Sequence, residues 1–144
     1  MFHILLIFIF ALSISAGPLS VSHPKAVRDA EFALSELKKL SDSRIYDTLS
    51  LAKIISAEDE DGIYHINTIL KLELRSIYYK SGLPSEVFDM VVMRNKIDGS
   101  MSFAINEFPE MDESAIELFW IKKVKEKRGQ REELFRKIEV ELRS

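Results

Sequence analysis

The sequence predicts an α+β fold, in which one long helix packs across an antiparallel sheet of four to five strands and a C-terminal helical extension follows. Apolar residues recur at spacings of three and four over residues 27–37, which is the period of a helix. After Gly62 they alternate with polar residues over more than ten positions, which is the period of a strand. Asp98-Gly99 is a hairpin turn signal between two β-rich runs. The helix has one apolar side and must bury it on a face of the sheet.

The predicted helix begins at Ser22-His23-Pro24 and ends at Ser41-Asp42-Ser43. Ser22 can cap the first turn, and Pro24 suits a position that needs no N–H bond. Charged residues occupy one side of the helix. The opposite side carries an apolar stripe of Val27, Ala30, Leu34 and Leu37, widened by Phe32, Ala33 and Leu40.

Four β-rich runs follow the helix. The first covers residues 45–56 and leads into an acidic turn at residues 58–62. The second covers residues 63–77 and is expected to be a long strand with one face toward the helix and one toward water. The third covers residues 87–94, and the fourth follows the Asp98-Gly99 turn. The inward face of the second run is formed by Ile66, Thr68, Leu70, Leu72 and Leu74.

Residues 1–16 have the layout of a secretory signal peptide. An apolar run at residues 4–12 lacks charge and is followed by small residues, so cleavage is expected after Ser15 or Gly17. The run is shorter than the roughly 20 residues that span a bilayer, and an uncleaved membrane anchor is the alternative. We therefore expect a secreted protein with one domain at residues 17–110 and a charged extension, expected to be helical, at residues 111–144.

The composition argues against an enzyme. The 144-residue chain contains no cysteine, which excludes disulfides, thiol nucleophiles and cysteine-ligated metals. Its three histidines, His3, His23 and His65, are too scattered for a metal site or an acid–base pair. No glycine-rich phosphate loop is present. We expect no catalytic residues, no metal and no cofactor.

Five short segments resemble the cystatin superfamily, in the order in which that family uses them. The resemblance covers residues 27–104 and implies one long helix on a four-stranded meander. Inhibitory cystatins form a wedge that enters the cleft of papain-like proteases. The matching segments are Phe32-Ala33-Leu34-Ser35-Glu36, Leu49-Ser50-Leu51-Ala52-Lys53, Leu70-Lys71-Leu72-Glu73-Leu74, Phe88-Asp89-Met90-Val91-Val92 and Gly99-Ser100-Met101-Ser102-Phe103.

The contact motifs of the family are altered in this chain. A glycine before the family's helix has only Gly17 as its counterpart. The Gln-x-Val-x-Gly loop is replaced by Glu58-Asp59-Glu60-Asp61-Gly62, and carboxylates are costly to desolvate in a cleft. The second loop has no Pro-Trp and reads Arg94, Asn95, Lys96, Ile97 and Asp98. We therefore expect a cystatin-like protein that binds other proteins; a papain-family inhibitor with divergent loops is the alternative.

The acidic turn has three interpretations: a solvated hairpin tip, a contact for a basic partner, or a calcium site. Adjacent side chains cannot all point at one cation, which weakens the calcium interpretation. Ser56-Ala57-Glu58 fits the Ser-x-Glu pattern of secretory-pathway kinases, so Ser56 is a candidate phosphorylation site. Repulsion between acidic tips predicts a monomer, because it opposes exchange of the helix and first strand between copies.

The extension is basic while the rest of the chain is acidic. Residues 122–144 carry nine Lys/Arg and five Glu, a balance of +4, which leaves −7 for the preceding residues of a chain with net charge −3. The pattern favours a helix from Asp112, an interruption at Gly129 and a second short helix. The extension either packs on the domain or contacts a partner or an anionic surface through Trp120, Lys122 and Lys123. Interspersed glutamates disfavour nucleic acid and weaken the membrane interpretation.

A dibasic pair in the extension, Lys127-Arg128, gives a further alternative. Cleavage after Arg128 would release residues 129–144 as a peptide. The chain would then be a peptide precursor.

Overall fold

The computed structural model describes residues 15–144, with side chains described from residue 17. The predicted signal peptide lies outside the described residues except for its last two positions. Those two positions, Ser15 and Ala16, belong to a strand.

The described chain forms one five-stranded antiparallel sheet and two helices, which confirms the α+β prediction. The strands are adjacent in sequence order, β1-β2-β3-β4-β5. The chain divides into two compact units, one ending at Met111 and the other spanning Asp112–Ser144. The elements are β1 (Ser15–Leu19), α1 (Pro24–Lys39), β2 (Ser50–Asp61), β3 (His65–Arg75), β4 (Ser85–Asn95), β5 (Met101–Ile105) and α2 (Glu113–Arg143).

Helix α1 packs on the sheet through a narrow stripe of small residues. The N-cap is His23, not Ser22: the His23 Nδ1 accepts a hydrogen bond from the Lys25 N–H at 3.1 Å. The buried stripe is rotated by about one residue from the predicted one, and three of its five residues are alanines. Of the predicted stripe, Val27, Phe32 and Leu34 are half-buried and Leu40 is exposed. The buried residues are Ala26, Asp29, Ala30, Ala33 and Leu37.

Strands β3 and β4 contribute most of the side chains that the sheet buries in the core. The alternation predicted for the second β-rich run is confirmed, although Ile66 at its end is exposed. The two strands pair along their full lengths, from His65↔Asn95 to Arg75↔Ser85. Their buried side chains are Thr68, Leu70, Leu72, Leu74, Phe88, Met90 and Val92.

Strand β2 differs from its prediction at both ends. Residues 45–49 form turns held by local hydrogen bonds, such as that from the Leu49 N–H to the Tyr46 carbonyl, and Arg44 before them has φ +60°. The strand begins at Ser50 and extends through Asp61, so the predicted acidic turn is wrong. Two irregularities in the β2–β3 register, at Leu51/Lys53 and Ile54/Ser56, break the alternation from which strand ends are inferred.

Helix α2 is continuous over 31 residues, so the predicted interruption at Gly129 is wrong. Asp112 caps it as the sequence suggests, its Oδ1 accepting a hydrogen bond from the Ala115 N–H at 3.1 Å. A single glycine costs a helix only about 1 kcal/mol, which good helix formers on both sides offset. Every residue from Ile121 to Ser144 is exposed. Neither described helix combines the length and the apolar character that a membrane crossing requires.

Candidate functional site

Two hairpin turns lie side by side at one end of the sheet. One contains Gly62, Ile63 and Tyr64 and joins β2 to β3; the other begins at Lys96 and joins β4 to β5. The Lys96 N–H donates a hydrogen bond to the Tyr64 carbonyl at 2.9 Å, which ties the two turns together. We call the surface formed by Ile63, Tyr64, Lys96 and Ile97 the hairpin tip.

The hairpin tip exposes three large apolar side chains beside Lys96. The exposed fractions are 65% for Ile63, 67% for Tyr64 and 88% for Ile97. Large apolar side chains at the ends of two neighbouring loops are unusual unless something covers them. The tip therefore presents the kind of surface that a protein cleft or pocket can bury.

Local hydrogen bonds hold the tip in one shape. The Gly62 N–H donates to the His65 carbonyl at 2.9 Å, and a Cβ on Gly62 would lie 3.0 Å from that same oxygen, so a larger residue there would displace the neighbouring backbone slightly. In the second turn the Asn95 Oδ1 accepts the Ile97 N–H at 2.8 Å, and Gly99 has φ +71°.

Asp98 anchors the far side of the second turn. Its Oδ1 accepts a hydrogen bond from the Ser100 N–H at 2.8 Å. Hydrogen bonding from Ser100 holds the pKa of the Asp98 carboxyl below its usual range. The turn is therefore stabilised by the ionised form of Asp98 at neutral pH.

The four acidic residues lie in strand β2 and not in the turn, and only the last of them, Asp61, contacts the tip. Alternation along β2 divides them between the two faces of the sheet. Asp59 forms an ion pair with Lys25 of α1 at 2.5 Å, and Asp61 forms one with Lys96. On the other face Glu60 accepts a hydrogen bond from the Asn67 Nδ2 at 3.2 Å, and Glu58 is exposed.

Because the acidic residues are divided between two faces of the sheet, the acidic run loses the basis of its three interpretations: a solvated hairpin tip, a contact for a basic partner and a calcium site. The acids form no single acidic patch, Asp61 at the hairpin end is paired with Lys96, and among the described residues no group of three or more His, Asp and Glu side chains is placed to hold a metal ion. The repulsion between acidic tips that predicted a monomer also loses its premise.

A shallow cavity of about 210 Å³ lies between α1 and the strands behind the tip. Arg28 and Arg94 line it together with apolar side chains of β3, β4 and β5. At its floor the Thr68 hydroxyl donates a 2.7 Å hydrogen bond to the Asp29 carboxylate, and both residues are buried. Arg94 and Asn95 thus belong to β4, whereas only Lys96 and Ile97 of that predicted group reach the tip.

No protein-family model, no curated protein and no solved structure matches this chain. Membership of the cystatin superfamily therefore stays a prediction.

The predicted contact residues of the extension are not exposed apolar anchors. Trp120 is half-buried and contacts Phe119 of the same helix edge-on, with ring centroids 5.0 Å apart. The Lys123 Nζ lies 4.9 Å from the Phe119 ring centroid and 5.8 Å from that of Trp120, a cation–π arrangement. Lys122 is exposed.

The predicted modification positions lie within regular structure. Ser56 is exposed on β2, where its backbone is paired with Lys71, and its phosphorylation stays a prediction. Lys127 and Arg128 lie inside the continuous helix α2, so cleavage there would require local unwinding.

Sequence reasoning missed Ile63 and Tyr64 as site residues and Asp29 as a buried one. The glycine at position 62 was the available signal for the turn, because a hairpin turn favours glycine over a run of carboxylates. For Asp29 the signal was Thr68, a polar residue on the inward face of a strand, which needs a buried partner.

Proposed function

We propose that this chain is a secreted cystatin-like protein that acts by binding another protein through the hairpin tip, and that it is not an enzyme. The observation that carries the proposal is the exposed apolar group of Ile63, Tyr64 and Ile97 on two turns joined by a backbone hydrogen bond. Secretion is supported by the signal-like character of residues 1–16.

Apolar anchors on rigid loops suit binding energetically. Burying one large apolar side chain contributes about 1.5–3 kcal/mol. A turn already held by its own hydrogen bonds loses little conformational entropy when it binds, so more of that energy appears as affinity. An aromatic residue at the centre of such a patch is typical of an interface anchor.

The proposal is tested with a tip variant and a matched control. Ile63→Ser with Ile97→Ser removes two anchors from the tip. Ile77→Ser with Leu83→Ser removes two exposed apolar side chains beyond the opposite end of β3. Proteins captured from extracellular medium by the immobilised wild-type chain and by both variants are quantified by mass spectrometry.

We expect capture of a specific protein to fall at least tenfold with the tip variant and to survive in the control. Equal loss with both variants would indicate nonspecific apolar adhesion. Equal retention with both would show that the tip is not the contact surface.

A second candidate is inhibition of papain-like proteases. It is favoured by the placement of the four acids along β2, because the tip that would enter a cleft then carries Ile63, Tyr64 and Ile97 instead of four carboxylates. Titration of a papain-like protease with the wild-type chain and with the tip variant tests it. Absence of inhibition at micromolar concentration rejects this candidate and leaves binding of a different protein.

A further inference from the structure

Helix α2 carries an apolar stripe that nothing among the described residues covers. Residues 121–144 are all exposed, and five of their seven large apolar side chains lie along one row, with Leu134 and Val140 off it. On the 3.5-residue repeat of a coiled coil, alternate spacings of three and four connect one row of positions. The row consists of Ile121, Val124, Arg128, Arg131, Phe135, Ile138 and Leu142.

The charges along α2 divide it into two unlike halves. Residues 122–131 carry six Lys/Arg and one Glu, a balance of +5, and residues 132–144 carry three Lys/Arg and four Glu, a balance of −1. A parallel pair of these helices would place the two basic halves together. An antiparallel pair would place each basic half beside the partner's acidic one.

We propose that α2 pairs with α2 of a second copy of this chain in an antiparallel, two-fold symmetric coiled coil. Six of the seven residues of the row then form matched layers about an axis between Gly129 and Gln130, and Leu142 lies beyond them, opposite Glu117 of the partner subunit. Ile121 meets Ile138 of the partner subunit, Val124 meets Phe135 of the partner subunit, and Arg128 meets Arg131 of the partner subunit. Each apolar residue of these layers faces another apolar residue, and the arginine layers lie together at the centre.

The acidic first unit favours the same orientation. The first unit, which ends at Met111, carries 11 Lys/Arg and 15 Asp/Glu, a balance of −4 in each copy. A parallel coil would bring the N-terminal ends of α2, and with them both acidic units, to the same end of the coil. The antiparallel coil separates them along its length, which is about 1.5 Å per residue.

The central arginines make the pairing weaker and more specific. Their long stems can extend past the apolar layers while the guanidinium groups reach water. Polar groups at such positions define register at a cost in stability. The dimer would present two hairpin tips, and a partner with two sites would be bound with higher avidity than by either tip alone.

Sedimentation equilibrium of the mature full-length chain tests the pairing. Ile138→Asp places a charge in the row and should weaken dimerisation by about 30-fold or more, as for a buried interface anchor. Val140→Asp is the matched control, because Val140 is exposed on the opposite side of the same helix. Replacing both arginines, Arg128→Leu with Arg131→Leu, should tighten the dimer by at least about tenfold. Circular dichroism verifies that each variant keeps its helix.

Single cysteines determine the orientation, since the chain has none of its own. A mixture of the Ile121→Cys and Ile138→Cys chains should form the mixed disulfide under mild oxidation, because an antiparallel pair brings those Cα atoms within about 7 Å. A disulfide between two Ile121→Cys chains would instead indicate a parallel pair and overturn the proposal. A wild-type chain that stays monomeric up to about 0.1 mM would also overturn it. Equal effects of Ile138→Asp and Val140→Asp on dimerisation would overturn the proposal as well. Binding of α2 to anionic phosphatidylserine vesicles, with no dimer in the absence of vesicles, would also overturn it.

Discussion

The buried contact between Thr68 and Asp29 should determine how firmly helix α1 is attached to the sheet. Thr68 is 1% exposed and Asp29 is 4% exposed, and a 2.7 Å side-chain hydrogen bond joins them between β3 and the helix. Thr68→Val keeps the shape of the side chain and removes the donor. The Asp29 carboxylate then stays buried without that hydrogen bond.

The expected loss is about 2 kcal/mol, because hydrogen bonds to charged groups contribute about 1.5–3 kcal/mol. For a domain of this size that corresponds to a fall in melting temperature of about 8–16 °C. Urea denaturation followed by circular dichroism measures it, with a midpoint shift of about 1 M at a typical slope.

Two further variants separate the hydrogen bond from packing. Thr68→Ser keeps the hydroxyl and removes one methyl group, which should cost only about 1 kcal/mol. In the double variant with Asp29→Leu, the two single losses should not add, because no polar group is left buried alone. Wild-type stability in Thr68→Val, or strict additivity in the double variant, would refute the reasoning.

Three other predictions follow from the structure. Gly129→Ala should slow amide hydrogen exchange in the middle of α2, because alanine favours a helix by about 1 kcal/mol over glycine and a Cβ there meets no atom within 4 Å; unchanged or faster exchange would contradict a continuous helix. Burial and, to a smaller extent, the charge of Glu86 raise the pKa of Tyr79. The stability that the neutral phenol contributes is therefore present below the unfolded-state pKa of about 10 and is lost as the pH rises above that value. Alkaline urea titrations should show a loss of up to about 1.4 kcal/mol per pH unit, and the Tyr79→Phe variant should lack that component. Ser100→Ala should raise the pKa of Asp98 measured by NMR toward its ordinary value, and an unchanged titration would show that the side-chain hydrogen bond is not its cause.

The fold was predictable from the sequence wherever the pattern was local and regular. Strand β3 alternates over its whole length, and the period of its apolar residues admits one interpretation. Strand β2 was predicted at residues 45–56 but lies at Ser50–Asp61, because two register irregularities interrupt its alternation and because consecutive carboxylates are typical of a turn. Pairing with β1 on one side and β3 on the other overrides that local preference.

The candidate site was predictable only in part, for a similar reason. Gly62, Lys96 and Ile97 were identified from the loops in which the resemblance placed them. Lys96 and Ile97 belong to the tip, and Gly62 lies in the turn beside it. Ile63 and Tyr64 reach the exposed end of the first hairpin only because the turn follows Asp61. A turn a few residues earlier would place carboxylates there instead of these apolar side chains. The position of the turn therefore decides whether charged or apolar side chains stand at the end that a protein cleft would bury.

One amphipathic helix on an antiparallel sheet and a charged helical extension could be inferred from local patterns alone, because periodicity and capping are properties of neighbouring residues. The directions in which the charges and the apolar groups of the two hairpins face depend on the folded chain. Strand pairing divided the acidic run between two faces, buried Asp29 against Thr68 and left Ile63, Tyr64 and Ile97 at the exposed end. These placements depend on register between distant strands, which no local pattern in this chain specifies.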